Sequence, residues 1–313
     1  MWNFSADPES QLLLKQTFSE KYIVLQESEI TMGSLLIKTV TELRWDVRVT
    51  AITQEACRLE VLCLDNVLLE TNNAHMREVS ALNNAFKKMY SELDVTVSKK
   101  GQVQQVHNMP VIGHKWAQVK AQMQALQTRH QSLDGIIALN DETFASTQKV
   151  EQAVKNNEFF ELYFHQLYGI ALSAEVSAAK KSLFMQADVA WRYHLARTSV
   201  IGPHTSVSLQ GTAQDLTSSR WLKQAYGPFP MADAARLHPQ LAEEGQYLIE
   251  HASGKLLKAS LNRQETAHPQ LLKATMKYTI TADSYAKAQA DKKQSQPPVA
   301  SPGNGGFSWL MDH

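Results

Sequence analysis

The sequence predicts an α+β fold in which curved antiparallel sheet from both ends of the chain packs on a central helical block. Three observations predict it. Apolar and polar residues alternate over much of 20–107, apolar residues recur at helical spacing over 110–168, and β-type patterns return over 181–281. Together these segments form a predicted α+β body, residues 1–290.

The composition bounds the class of protein. The 313 residues carry 31 Lys and Arg against 31 Asp and Glu, and 43% are hydrophobic. This hydrophobic share is too high for an intrinsically disordered chain, and the length is sufficient to bury a large core. A net charge of zero argues against a dedicated nucleic-acid binder, which needs clustered Lys and Arg. The two cysteines are too few for a disulfide scaffold or a Cys-rich zinc module.

Targeting signals are absent from the sequence as it stands. Residues 1–9 include acids and a proline where a secretory signal needs an apolar run. No uninterrupted apolar stretch of about 18 residues predicts a membrane span. We therefore expect a cytoplasmic protein, or one exported without a recognisable signal peptide. Cys57 and Cys63 share one predicted strand, about 20 Å apart when extended, so two reduced thiols are expected.

In the first β-rich part, the spacing of the apolar residues changes twice. Residues 43–49 and 59–63 alternate apolar and polar side chains, which is typical of strands with one wet face. Apolar residues at spacings of three and four then predict an amphipathic helix over 72–93. Alternation resumes over 94–106 around Gly101, which predicts a hairpin.

The central block contains two predicted helical regions. The first runs from Pro110, which suits a first turn, to about 130, and the second covers 141–168 with a break at Asn156 and Asn157. Residues 159–168 are apolar almost all round and are therefore predicted to be buried. Their large side chains form either a core stripe or the lining of an apolar cavity: Phe159, Phe160, Tyr163, Phe164, Leu167 and Tyr168.

The second β-rich part has five predicted strands and a less regular segment over 213–244. The strands are predicted at 182–201, 205–212, 247–250, 255–261 and 273–281. Whether the two β-rich parts form one sheet or two is left open. Beyond 290, prolines and polar residues predict a flexible linker over 291–306, followed by an aromatic peptide at 307–313.

Chemical motifs are sparse, so neither a metal site nor a cofactor is predicted. No His-x-His or His-x3-His pair, Gly-x-Ser-x-Gly elbow, phosphate-binding loop or dinucleotide fingerprint occurs. The acidic pairs at 141–142 and 243–244 are expected at the surface. An enzyme with a dispersed site around His165, His194 or His204 is the weakest of three functional hypotheses, and His165 itself is interpreted as a core or rim histidine.

The C-terminal peptide carries the first functional hypothesis, a non-enzymatic adaptor, chaperone or accessory subunit of a larger bacterial-type assembly. Residues 303–313 would dock onto another protein through Phe307, Trp309, Leu310 and Met311. Burying these four side chains contributes about 6–12 kcal/mol, while ordering the peptide costs about 7–14 kcal/mol. Docking therefore needs a preformed groove or many linked copies of the peptide. The same peptide could instead fold back onto its own body.

The second hypothesis is a carrier for an apolar small molecule or acyl chain, held between the sheet and the helix at 159–168. The order of strands, helices, hairpin, helices and strands is similar in outline to the lipoprotein-carrier fold, in which an open curved sheet wraps around helices. No motif accompanies this likeness, so it assigns no family and transfers no function.

Overall fold

A computed structural model describes residues 11–126, 133–184, 186–229 and 237–294. From residue 11 onward, the described N-terminal part forms five strands and one helix: β1 (Phe18–Met32), β2 (Leu35–Ile52), β3 (Ala56–Thr71), α1 (His75–Lys87), β4 (Glu92–Ser98) and β5 (Val103–Val106). A 3₁₀ turn (Lys88–Tyr90) extends α1. Four helices follow: α2 (Met109–Leu126), α3 (Leu133–Phe144), α4 (Thr147–Lys155) and α5 (Glu158–Phe164).

The described residues of the C-terminal half form six strands and two helices. They are β6 (Glu175–Lys181), β7 (Asp188–Ile201), β8 (His204–Gln214), α6 (Ser219–Tyr226), β9 (Gln240–Glu250), β10 (Leu256–His268), β11 (Leu272–Ala282) and α7 (Asp283–Gln294). Within the described ranges, no helix combines the length and apolar character needed to cross a membrane.

All the named strands belong to one open, curved antiparallel sheet. Their order across the sheet is β5-β4-β3-β2-β1-β11-β10-β9-β8-β7-β6, so each half of the chain contributes strands that pair with their sequence neighbours. The halves meet where β1 pairs with β11, from Tyr22 opposite Ala282 to Met32 opposite Leu272. The two β-rich parts therefore form one sheet, with β5 and β6 as its edges.

The strands alternate as their sequences predict, and most of their buried side chains share one face, here called the inner face. Tyr22 and Val24 on β1 lie beside Trp45 and Leu43 on β2, and all four are buried. Bulges interrupt the pairing of β2 with β3 near Trp45. Helix α5 packs on this inner face and contacts strands from both halves of the sheet.

The antiparallel sheet and the helices confirm the predicted α+β class, whereas packing of both ends on a central helical block is not confirmed. Helices α2 and α3 instead form a separate small core with the 3₁₀ turn, around Met89, Trp116 and Ile137. Among the helices that the structure describes between β5 and β6, α5 is the one buried among strands of both halves, because its side chains are apolar almost all round.

Several predicted boundaries differ from the observed ones. The helix predicted over 72–93 ends earlier, and Leu93 lies in β4 instead. Strand β6 was not predicted, because this edge strand has only Val and Ala as apolar residues. Helix α7 extends to Gln294, four residues into the predicted linker. The rest of that linker and the predicted docking residues lie outside the described residues: Phe307, Trp309, Leu310 and Met311.

Candidate functional site

Helix α5 places the predicted aromatic stripe on the inner face. The side chain of Asn157 caps the helix by accepting the backbone N–H of Phe159 at 2.9 Å. The helix ends at His165, whose φ of 33° lies in the left-handed region. A seven-residue helix has little stability of its own, so packing of its apolar side chains holds it in place.

The six predicted stripe residues are all buried, in different surroundings. Phe159 lines a cavity, and Phe164 lines a smaller hollow of about 180 Å³ near Cys57. The other four pack in the main core: Phe160, Tyr163, Leu167 and Tyr168. Two hydroxyls have partners, since Tyr163 contacts the hydroxyl of Tyr22 at 3.2 Å and Tyr168 donates to the carbonyl of Gly254 at 2.9 Å.

The larger cavity has a volume of about 400 Å³ and is lined mainly by apolar side chains. Strands β2, β3 and β4 form its floor, α1 with the 3₁₀ turn and α3 form two walls, and the start of α5 closes it. Its lining residues are Leu43, Trp45, Val61, Cys63, Phe86, Lys87, Met89, Tyr90, Leu93, Ile136, Asn140, Asn157, Glu158 and Phe159.

An ion pair lies among the apolar lining residues. Nζ of Lys87, at the end of α1, lies 3.7 Å from Oε2 of Glu158, at the start of α5, and both side chains are about one-third exposed. The hydroxyl of Tyr278 donates to the other oxygen of Glu158 at 3.2 Å. The thiol of Cys63 also lines the cavity, and burial raises its pKa, which keeps it protonated at neutral pH.

A second polar arrangement, here called the Glu243 cluster, is buried where α5 meets β6, β9 and β10. Oε1 of Glu243 contacts Nε2 of His165 and lies 2.9 Å from Nζ of Lys180. The other oxygen of Glu243 accepts the Tyr193 hydroxyl at 3.2 Å and lies 3.2 Å from Nε of Arg263. Glu243 was expected at the surface because it precedes Glu244, but on β9 its side chain faces inward and is 1% exposed.

The Glu243 cluster is close to charge balance. Arg263 also pairs with Glu161 on α5 at 2.5 Å, so two carboxylates face two cations. Burial by itself raises the pKa of Glu243, but His165, Lys180 and Arg263 outweigh this and hold the pKa well below its usual range.

His165 is the neutral member of the Glu243 cluster. Burial, together with the positive charge of Lys180, lowers the pKa of His165 to about 4. A neutral ring that donates from Nε2 to Glu243 leaves Nδ1 as a lone pair, and Nδ1 has no hydrogen-bond partner among the described residues.

The three histidines of the enzyme hypothesis are not brought together. His194 is exposed on β7 and, next to the buried Tyr193, belongs to the opposite face of the sheet from His165. His204 lies on β8 and packs edge-on against Tyr285 of α7. No group of three or more His, Cys, Asp or Glu suited to a metal occurs in the parts of the chain with described coordinates.

Sequence reasoning missed most of the cavity. Lys87 and Phe86 end a helix whose partners lie elsewhere in the chain, and Ile136 and Asn140 fall between the helical regions predicted at 110–130 and 141–168. The spacing of Ile136 and Asn140 by four residues places them on one face of α3, a signal visible in the sequence. The sequence pattern around this helix does not indicate that its face lies over Trp45.

Comparisons with known proteins show no family. No protein-family model and no curated protein matches the chain. A solved structure described as "Lipid-protein interactions in lipovitellin" is similar over 85% of this chain, with 6% sequence identity and a TM-score of 0.40. The chain spans 25% of the length of that lipovitellin chain.

Proposed function

We propose that the protein binds or carries a small apolar molecule or a single acyl chain in the cavity between α1, α3, α5 and the sheet. The observation that carries this proposal is a 400 Å³ space walled by apolar side chains, with a few polar groups in its lining. Ligand-binding cavities typically have this composition, because apolar walls supply affinity and a few polar groups orient the ligand.

The size of the cavity limits the ligand. Binding cavities range over about 300–1,000 Å³, and this one is near the lower end. One acyl chain or one small ring system suits this volume better than a lipid with several chains. The Glu243 cluster needs no part in binding, since its two carboxylates already form ion pairs with its two cations.

A pair of variants on α3 tests the proposal. Ile136 lines the cavity, whereas Leu139 on the same helix is 65% exposed and is not among the lining residues. Ile136→Trp fills the cavity, and Leu139→Trp adds the same ring at the surface. We expect Ile136→Trp to weaken binding of the neutral fluorescent probe N-phenyl-1-naphthylamine about ten-fold or more, measured by fluorescence titration, because a filled cavity cannot admit it.

Leu139→Trp is the matched control and should bind the probe as the parent protein does. Equal affinities of both variants and the parent would contradict the proposal. Native mass spectrometry of the protein from its own host gives a second measurement. A co-purifying apolar molecule absent from Ile136→Trp supports a carrier, and an apo mass in both samples argues against one.

The docking hypothesis for Phe307, Trp309, Leu310 and Met311 remains a prediction, because these residues lie outside the described part of the chain. The proposed role is non-catalytic. Its supporting feature is an apolar cavity whose thiol, Cys63, stays protonated at neutral pH, while the histidine of the Glu243 cluster is buried away from it.

A further inference from the structure

The charges that line the cavity indicate the chemistry of its ligand. Among the described lining residues, Lys87 is the one cation and Glu158 the one anion. The other lining side chains are apolar or neutral, and they come from three strands of the sheet and from the helical segments that surround them. A ligand that fills this space therefore has one end beside two opposite charges and the remainder against hydrocarbon.

The ammonium group of Lys87 has N–H donors that no described residue accepts. Its Nζ lies 3.7 Å from Glu158, which is too long for a hydrogen bond, and its side chain donates no hydrogen bond to any residue the structure describes. An ammonium group has three N–H donors and gains most from acceptors that carry negative charge.

Glu158 is held independently of Lys87. Its other oxygen accepts the Tyr278 hydroxyl at 3.2 Å, from β11 on the inner face. Glu158 therefore keeps a partner when the ammonium of Lys87 turns toward a ligand. Lys87 lies in the last turn of its helix and retains 38% side-chain exposure, so its flexible stem can make this turn.

We propose that the ligand is a single-chain fatty acid, with its hydrocarbon chain in the cavity and its carboxylate paired with Lys87. This inference rests on the proposed function and adds the class of head group. The volume fits one chain, and Lys87 supplies the charge complementary to a carboxylate. The carboxylate of Glu158 opposes the ligand's charge, which limits the affinity and makes Glu158 a sensitive position for a test.

Three probes with the same fourteen-carbon chain separate the contribution of the head group to affinity from that of the hydrocarbon chain: myristate, 1-tetradecanol and tetradecylamine. The full chain is titrated with each probe below its aggregation limit, by displacement of N-phenyl-1-naphthylamine. We expect myristate to bind more tightly than tetradecanol. Lys87→Gln should weaken myristate about five-fold, the size of a partly exposed ion pair, and leave tetradecanol unchanged.

Lys88 provides the matched control, because it is the next residue, carries the same charge, is exposed and does not line the cavity. Lys88→Gln should change neither affinity. Glu158→Gln should strengthen myristate binding by removing the opposing charge. Melting curves of all variants verify that each is folded, and the tetradecanol titration reports any general damage to the cavity.

The outcomes separate this inference from the proposed function. Loss of myristate and tetradecanol binding together in Lys87→Gln, or of neither, would show that Lys87 does not recognise the carboxylate. Tightest binding of tetradecylamine, lost in Glu158→Gln, would overturn the fatty acid in favour of a cationic amphiphile. If none of the three fourteen-carbon probes displaces the dye from the parent protein, the cavity does not hold an acyl chain at all.

Discussion

Gly254 shows at the scale of one residue how closely the chain approaches itself. Its φ is +75°, and a Cβ at this position would lie 1.8 Å from the backbone carbonyl oxygen of Leu13. Its own carbonyl accepts the Tyr168 hydroxyl. A side chain at 254 would therefore strain the local backbone and also displace a segment about 240 residues away in sequence.

Gly202 is a matched control for Gly254, because it has a φ of +57° and, apart from its own chain neighbours, no described residue has an atom within 4 Å of the point that a Cβ would occupy. We expect Gly202→Ala to lower the free energy of unfolding by about 1 kcal/mol, the cost of a left-handed residue. Gly254→Ala should lower it by at least about 3 kcal/mol, since the clash with Leu13 adds to that cost. Urea unfolding measures both values.

If Gly202→Ala and Gly254→Ala lower the free energy of unfolding equally, the backbone at Leu13 moves aside at no energetic cost. The turn at Gly254 is visible in the sequence as a glycine between two short apolar runs. Its contact with Leu13 is not, because no local pattern indicates which distant segment crosses the turn.

At the scale of elements, the Glu243 cluster fixes α5 to the sheet. Glu161 on the helix and His165 directly after it pair with residues of β6, β9 and β10. Two adjacent residues, His165 and Gln166, have positive φ, which brings the imidazole to Glu243 at a cost in backbone strain. The ionic contacts therefore select one position for a short helix that apolar packing alone would leave less defined.

Titration of His165 makes the stability of this arrangement depend on pH. The unfolded chain takes up a proton at His165 below pH 6.5, but the folded protein does so only below about 4. Because the unfolded state binds more protons in this window, the free energy of unfolding decreases as the pH falls from 6.5 to 4, by on the order of 3 kcal/mol. We expect His165→Asn to remove this part of the decrease, measured by urea unfolding at several pH values.

Asparagine suits position 165 because it tolerates the left-handed region better than most residues. His194→Asn is the control, since His194 is exposed on β7, and it should keep the pH dependence of the parent protein. An unchanged slope in His165→Asn would show that His165 takes up its proton equally in both states.

Sequence patterns predict elements better than they predict the contacts between them. Period-two alternation indicated β2 and β3, and the apolar run at 159–168 indicated a buried α5. The Glu243 cluster escaped prediction because Glu243, Lys180 and Arg263 come from three strands, and charged residues are usually at the surface. The cavity escaped for the same reason, as its walls come from separate elements.

At the scale of the whole molecule, the pairing of β1 with β11 joins the strands of the two halves into one sheet. The two halves share this seam of strand pairs, and α7 packs against it through β1, β10 and β11. The sequence left one sheet or two undecided, because pairing between strands at opposite ends of a chain has no local signature.

Truncation tests the seam. We expect a chain ending at Gln294, after α7, to keep the melting temperature of the full chain, because all described elements remain. A chain ending at Gln270 lacks β11 and α7, which leaves β1 paired only with β2 and β10 paired only with β9, so the two halves of the sheet are no longer joined and we expect no cooperative melting transition by circular dichroism. A cooperative transition of the shorter chain at the original temperature would contradict a single sheet built around the seam.

The same seam affects how the protein is made. About 240 residues separate the end of β1 from the start of β11, and synthesis at about 5–20 residues per second takes roughly 12–48 s to cover them. Throughout that time the first strand is outside the ribosome with one side unpaired, and it is exposed to premature pairing with other nascent chains. Avoiding aggregation during translation therefore requires that the unpaired side of β1 be covered until β11 has emerged from the ribosome.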